Sequence, residues 1–587
     1  MIGCRELLKD EEYRTMSVCA DTIITNAVIY TVEPSRPRAE ALAIKDGTIL
    51  AVGSAGEMEV YRSHDTEVWD MGGRFVLPGF VDAHMHPAQS AVNRMYGAVL
   101  SDIKGKEGYL TRIRDFAGAH RDWPVIEGRG FYRADFDQTG PRREWLDEID
   151  NTRPILVTSV DGHSMWVNTA ALTMAGITKD TPDPENGVIQ RDEQGVPTGL
   201  LQESAMALMD PLKTHYTREQ YREAILTLQQ YLHSRGITHV FDAMVPTDNS
   251  DYYMAYQELA ESGELSLRIR GAWHIYPGMA GSPDENIEKA MELSMGFSSP
   301  YFQINAFKFF ADQVVEEETA YLSAPYSHRD DGWRGIREWP AESLKRLFQA
   351  IDGAGYQIHV HAIGDGAVHD ALDAIEYAQE RNGKRDARHA LAHIQCVGES
   401  DRDRMARLNA AAVAAPYWMV VDDYFWQFNV PYLGMDRVRD TYPYKSLIDR
   451  GVHVAVHSDF SVTEPDYPAL FYTAMKRTLP PDIFVKYHGE SGAMRGTDPG
   501  APLDERLYGP LPPASEGVSL AEAIRSATYE GAWALHMDAD AGTIAPGKRA
   551  DFAVFDRDFF GMAPEDFHHN PVVMTVAGGK VVYDAGK

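Results

Sequence analysis

The sequence predicts an α/β protein: a (β/α)8 TIM-like barrel, a small β-sandwich built from both chain ends, and an insertion after the first barrel strand. Three observations carry this. Residues 21–77 and 541–587 both read as short apolar-alternating runs broken by Asp-Gly and Gly-Gly turn signals. Between them, eight apolar runs alternate with helix-length stretches, the pattern of a parallel sheet closed into a barrel. The chain has 587 residues, too many for one ordinary domain.

Taken in order, residues 1–20 read as an N-terminal tail, because MIGCRELLKDEEYRT is polar and lacks a strand pattern. The runs TIITNAVIYTV, EALAIKDGTILAVG and EVWDMGGRFVLP form the first part of the sandwich, 21–77. FVDAH (80–84) opens the barrel, which spans 78–540. The stretch of about 87–216 is too long for a loop and is expected to be an inserted subdomain. Thr217 and Gln220 make a capping-box pattern, followed by Tyr221, Ala224, Ile225, Leu228, Tyr231 and Leu232 at helical spacing, and Gly236 ends that helix. ITHVFDAMV (237–245) is the second barrel strand. RIRGAWHIY, INAFKFF, YQIHVHAI, HALAHI, AAVAAPY and VHVAVHS are the third to eighth. GTIAPGKRADFAVFD and VVMTVAGGKVVYDAGK return to the sandwich, 541–587, with Gly578-Gly579 as a hairpin turn.

Charge and composition exclude several function classes. Lys plus Arg number 56 and Asp plus Glu 87, a formal net charge of −31, which repels nucleic acid and anionic membrane. The three cysteines, Cys4, Cys19 and Cys396, lack CxxC spacing and cannot build a disulfide framework. No run of about 18 apolar residues spans a membrane, and no basic start leads into an apolar leader. The expectation is a cytoplasmic protein that acts on a small molecule.

The chemistry-bearing residues fall at strand ends. In LPGFVDAHMHP, His84 and His86 are two apart on a strand, so both imidazoles aim at one point, at the barrel mouth where active sites lie. Imidazole suits Zn, Fe or Ni. Lys308 sits inside the apolar run INAFKFF, where an amine must be neutralised or paired: by carbamylation with CO2, or by an ion pair with Asp312. His361 closes YQIHVHAI, with His359 on the same face; His393 closes HALAHI; Asp459 follows VHVAVHS, with His457 two residues earlier. Each alone is a weak signal, since a lone strand histidine is more often a hydrogen-bonded core residue. Together they put metal-compatible groups at the ends of strands one, four, five, six and eight.

These motifs, with DGHSMWVNTAAL (161–172), GVPTGLLQESA (195–205), KFFADQ, HVHAIGD, LAHIQ and HSD in order, resemble the metal-dependent amidohydrolase superfamily. Within it the chain is similar to the family-3, YtcJ-like branch and to N-substituted formamide deformylases. The resemblance covers nearly the whole chain. It implies His84, His86, Lys308, His361, His393 and Asp459 as metal-site residues, with His361 taken over His359 because the family pattern reads HAIGD. It implies one or two divalent ions, zinc first, with Lys308 carboxylated in the two-metal case. Two positions depart from the family: Gln313 stands where Gly is usual after the strand-four Asp, and His457 precedes Ser458-Asp459 where Gly-Ser-Asp is usual.

The expected reaction is hydrolysis of a non-peptide C–N bond, in an amide or N-substituted formamide, by metal-activated water. Asp459 is the expected general base and acid, and His361 or His393 the oxyanion stabiliser. Aromatic residues in 417–432, Trp418 and Trp426 among them, favour a flat or apolar substrate group. His163 and Trp166 in the insertion are further substrate-contact candidates, while Glu316, Glu317 and Glu318 read as a solvated run and Cys396 as packing. Competing readings are a cyclic amide or imide hydrolase, a deaminase on the same scaffold, or a non-catalytic regulatory protein. A homodimer is compatible with the exposed aromatics, but nothing specifies one.

Overall fold

The computed structural model describes residues 18–137, 139–488 and 509–586; residues 1–17, most of the expected tail, lie outside them. Eight parallel strands form one sheet in chain order: Phe80–Met85, Ile237–Val245, Arg268–His274, Phe302–Phe310, Gln357–Ala362, Ala390–His393, Ala411–Ala414 and Val454–Val456. Each step from one strand to the next is crossed by a helix-bearing connection, as parallel pairing requires. The helix Arg218–Ser234 is capped by Thr217 and Gln220 acting on each other's backbone N–H, as the S/T-x-x-E/Q pattern dictates.

The barrel interior is built from small residues. Ala83, Ala390, Ala392, Ala411, Val413 and Ala455 pack with Trp533 and Ala534, and Phe241, Ala243, Ala272 and Ala306 pack with Ala532 and Leu535. The helix Gly531–Ala534 therefore plugs the end where the strands begin. Gln357, at the start of strand five, donates to the Ala534 carbonyl (2.7 Å). Gly531 is required there: a Cβ would stand 2.8 Å from that of Val81.

Strands one and eight are the two ends of the sheet, and side chains and loop backbone close them. The Asp82 carboxylate accepts from the Ser458 N–H (3.2 Å) and hydroxyl (2.6 Å). The Asp459 N–H donates to the His84 carbonyl, and the His86 N–H to the Phe460 carbonyl, both at 3.1 Å. Burial pushes the Asp82 carboxyl up to about 7, against the pull of the Ser458 and His84 donors.

Both chain ends contribute to one six-stranded sheet, in which Phe75–Pro78 pairs antiparallel with Phe552–Phe555. It packs on a four-stranded sheet made of Thr22–Thr25, Ala41–Lys45, Thr48–Gly53 and Glu67–Asp70 through Ile24, Leu42, Ile44, Val76, Phe552 and Val554. Gly578 and Gly579 take φ +58° and +75° in the terminal hairpin, the left-handed pair a two-residue turn needs. The insertion holds its own six-stranded sheet, from Ala98–Val99 to Pro197–Glu203, with apolar clusters on both faces.

Candidate metal centre and substrate cavity

At the other end of the barrel, strand ends bring histidines and one carboxylate together. His84 Nε2 and His86 Nε2 lie 3.6 and 3.1 Å from Asp459 Oδ1. His84, His86 and Asp459 form one set of ligand atoms, and His393, His457 and Asp459 a second, each within 4.8 Å. Asp459 belongs to both. Asp459 and His393 hold φ of +52° and +72°, a left-handed backbone that costs a non-glycine residue free energy and recurs where function demands it.

Burial pushes His84, His361 and His393 well below the ordinary imidazole range, and His457 down to about 4. Neutral imidazoles are the form that binds metal. Burial would raise the Asp459 carboxyl, but the His86 contact and nearby His457 and Lys308 hold it well below the usual range. Lys308 is fully buried, and desolvation pushes its amine down to about 7 against the attraction of Asp459. The ion pair with Asp312 weighed from the sequence does not form. Asp312 instead accepts backbone N–H bonds from Tyr321, Ile363 and Gly364, and Lys308 Nζ has no hydrogen-bond partner.

A divalent ion fits these residues on their own showing. His86 Nδ1, His393 Nδ1, both ring nitrogens of His457, Asp459 Oδ1 and Lys308 Nζ are buried without a hydrogen bond. Such orphaned polar atoms are costly, and four of the residues that carry them belong to the two ligand sets, whose ligand atoms lie within 4.8 Å of one another. His361 is placed beside them, its ring 4.5 Å from that of His393, with Nε2 3.2 Å from the Gln313 carbonyl. It joins neither ligand set. His359 lies deeper and contacts His84 Nδ1 through Nε2 at 2.7 Å, the kind of support that orients a ligand ring. His457 is the ligand-set member that the family pattern left out. Its spacing to Asp459, two residues along the same strand end, was the available signal.

The mouth opens into a cavity of about 630 Å³ lined by residues that follow strands four to eight and by the insertion's Tyr132 and Asp161. Trp418 lies against it, stacked on His393 at 5.3 Å and 16°, and its Nε1 donates to Thr463 Oγ1 (3.1 Å). Trp426 lines neither this cavity nor its neighbour and packs edge-on to Phe425 (4.9 Å). Trp166 is fully buried in the insertion's core against Phe131, Phe136 and Trp145, and donates to the Arg142 carbonyl, so it holds the insertion together instead of meeting substrate. The Glu316–Glu318 run is not solvated either. It lies half-buried between barrel and insertion; burial raises Glu316 to about 7 and Glu317 to about 8, and Ser164 donates to Glu317 (2.8 Å). Cys396 is half-buried, and burial raises its thiol, in keeping with packing. His163 sits at the insertion's tip, its ring 5.9 Å from that of His361.

The family model described as "Amidohydrolase family" matches residues 67–583. The chain belongs to the amidohydrolase family. It is 30% identical to the putative amidohydrolase YtcJ of Bacillus subtilis over 95% of this chain and 98% of that protein. It is 26% identical to an N-substituted formamide deformylase of Arthrobacter pascens, over 97% and 99%. An uncharacterized metal-dependent hydrolase from Pyrococcus horikoshii shares the fold at TM-score 0.70 and 21% identity, over 92% of this chain and 99% of that one. As an amidohydrolase the chain is an enzyme of C–N bond hydrolysis. Among the described residues, no helix is long and apolar enough to cross a membrane.

Proposed function

We propose that this amidohydrolase cleaves the C–N bond of a small amide or N-substituted formamide, with zinc as the resident metal. The observation that supports this is the convergence of His84, His86, His393, His457 and Asp459 into two ligand sets that share Asp459, with buried, unpartnered atoms on His86, His393, His457 and Asp459. His361 and Lys308 flank them. A divalent ion held by these residues would supply hydroxide at neutral pH and polarise a carbonyl. Asp459 takes the proton of the attacking water at its carboxylate and returns it to the leaving nitrogen, so amine and carboxylic acid depart with atoms balanced.

Lys308 fits a carboxylated role. A neutral Nζ attacks the carbon of CO2 and loses a proton, and the product is a carboxylate that no longer leaves a buried amine without a partner. That converts the least favourable group in the site into a further oxygen ligand and permits a second ion. His361 or His393, whose rings lie 4.5 Å apart with Trp418 stacked on His393, would support the developing oxyanion. The cavity wall of Tyr417, Trp418, Tyr424 and Tyr442 favours a flat substituent on the substrate.

The test is elemental mass spectrometry on protein purified without added metal, joined to a screen of formamides, linear amides and cyclic imides. One or two ions per chain, with turnover of an acyclic amide lost in Asp459→Asn, is the expected result. Absence of metal after reconstitution would overturn the reading, and turnover confined to cyclic imides or to deamination would replace it.

A further inference from the structure

We propose that His163 is a catalytic residue supplied by the insertion, a donor to the substrate's carbonyl oxygen, and that Glu203 is the positioning residue that aims it. The proposal deepens the amide-hydrolase reading above and rests on it. His163 stands at the tip of the hairpin between Ile155–Ser159 and Ser164–Val167, where a side chain is ordinarily free to wander. This one is fixed from several sides. Its Nδ1 meets Glu203 Oε2 at 2.8 Å, its N–H donates to Asp161 Oδ1 at 3.0 Å, and its carbonyl accepts the Glu203 N–H at 3.0 Å. The turn needs Gly162 at φ +87°, where a Cβ would also press to 3.3 Å from the Arg129 guanidinium.

Glu203 is the more informative partner. It holds φ +50° and ψ −128°, a strained conformation for a non-glycine residue. Its side chain is only 4% exposed. Its second oxygen accepts from Thr319 Oγ1 at 2.7 Å, in the segment after barrel strand four. One strained, buried carboxylate thus joins the insertion to the barrel mouth, and the group it orients is an imidazole facing His361. A strut between two layers would need no imidazole. With Nδ1 occupied by the carboxylate, Nε2 has no hydrogen-bond partner among the described residues. The ring lies 5.9 Å from that of His361, beside the metal-site histidines. An imidazole whose far nitrogen is held by a carboxylate presents a fixed, charge-assisted N–H, the kind of donor that stabilises a carbonyl oxygen as it gains negative charge.

The experiment compares wild type, His163→Ala, His163→Gln, Glu203→Gln and the Ala/Gln double variant, on whichever amide the wild type turns over. Metal content is measured for each. The wild-type screen decides the amide-hydrolase reading first; the variants then decide the role of His163. Expected are a fall in kcat of about 10²- to 10³-fold for His163→Ala, KM within about threefold, and unchanged metal content. His163→Gln, which retains an N–H donor, should recover at least about tenfold over the alanine variant. Glu203→Gln should fall in kcat as well, yet cost nothing further once His163 is alanine, because it acts only through that ring. A kcat within threefold of wild type for His163→Ala overturns the proposal. So does an equal cost of Glu203→Gln with and without His163, or loss of metal from His163→Ala.

Discussion

Replacing Lys308 with methionine should have opposite effects on the metal-free protein and on the metal-loaded enzyme. Lys308 is fully buried, its Nζ has no hydrogen-bond partner, and desolvation brings its amine from 10.5 to about 7. Because the folded value is depressed, folding disfavours the charged amine. The cost is full below pH 7, shrinks as pH rises and is gone above 10.5. At about 1.4 kcal/mol for each of the roughly 3.5 pH units between them, the ceiling is about 5 kcal/mol, and about 4 at pH 7.5. Lys308→Met keeps the chain length and removes the amine, so the chelated variant should be more stable than chelated wild type, most of all at pH 6 and not at pH 10.5. The metal-loaded variant should bind fewer ions and lose turnover if, as proposed, the carboxylated Lys308 is a ligand. Urea melts at pH 6, 7.5 and 10.5 with and without chelator, beside elemental analysis, read both halves. A chelated variant less stable than wild type, with metal content unchanged, would refute the reasoning and make Lys308 a packing residue.

Other outcomes follow from the same geometry. Asp459→Asn should retain the fold by circular dichroism and lose at least about 10³-fold in turnover, and a loss under tenfold excludes it as the proton carrier. Chelation should abolish activity, and zinc should restore it within one assay. Glu317 has a folded value raised to about 8, so its contribution is complete below about 4.5 and disappears as pH climbs through 8. Glu317→Gln should therefore stabilise the protein at pH 8 by on the order of 1–2 kcal/mol and leave pH 4.5 unchanged, which melts at the two pH values resolve. Trp166→Ala should cost about 3–5 kcal/mol with KM unaltered in the folded fraction; a KM raised tenfold would return it to the substrate site.

Much of this was legible because it is written locally. The barrel strands are apolar runs between amphipathic helices, and a period of two sets His84 beside His86 whatever the tertiary context. What escaped was set by contacts across hundreds of residues. Asp82 meets Ser458 376 positions away, and although each lies in a motif, nothing local pairs the two. His457 reads as another strand histidine until His393 is brought against it at 5.0 Å. Glu316–Glu318 looked solvated because a charge run has no local sign of burial, yet the insertion folds over it. Trp166 sits in a motif that looks functional, but strand alternation turns it inward, onto the face shared by Leu200 and Val157.

The junction between the first and last barrel strands has a kinetic consequence. It is joined by Asp82 with Ser458 and by two backbone hydrogen bonds, and the same few residues carry His84, His86 and Asp459. An ion held by His84, His86 and Asp459, as proposed above, would be gripped from both sides and would act as a clasp on the barrel. For the ion to leave, the clasp must part, and for the barrel to breathe there, the ion must let go. Dissociation of metal and opening of the first strand are then one event seen by two methods, and amide exchange at Asp459 and His86 should slow in proportion to occupancy.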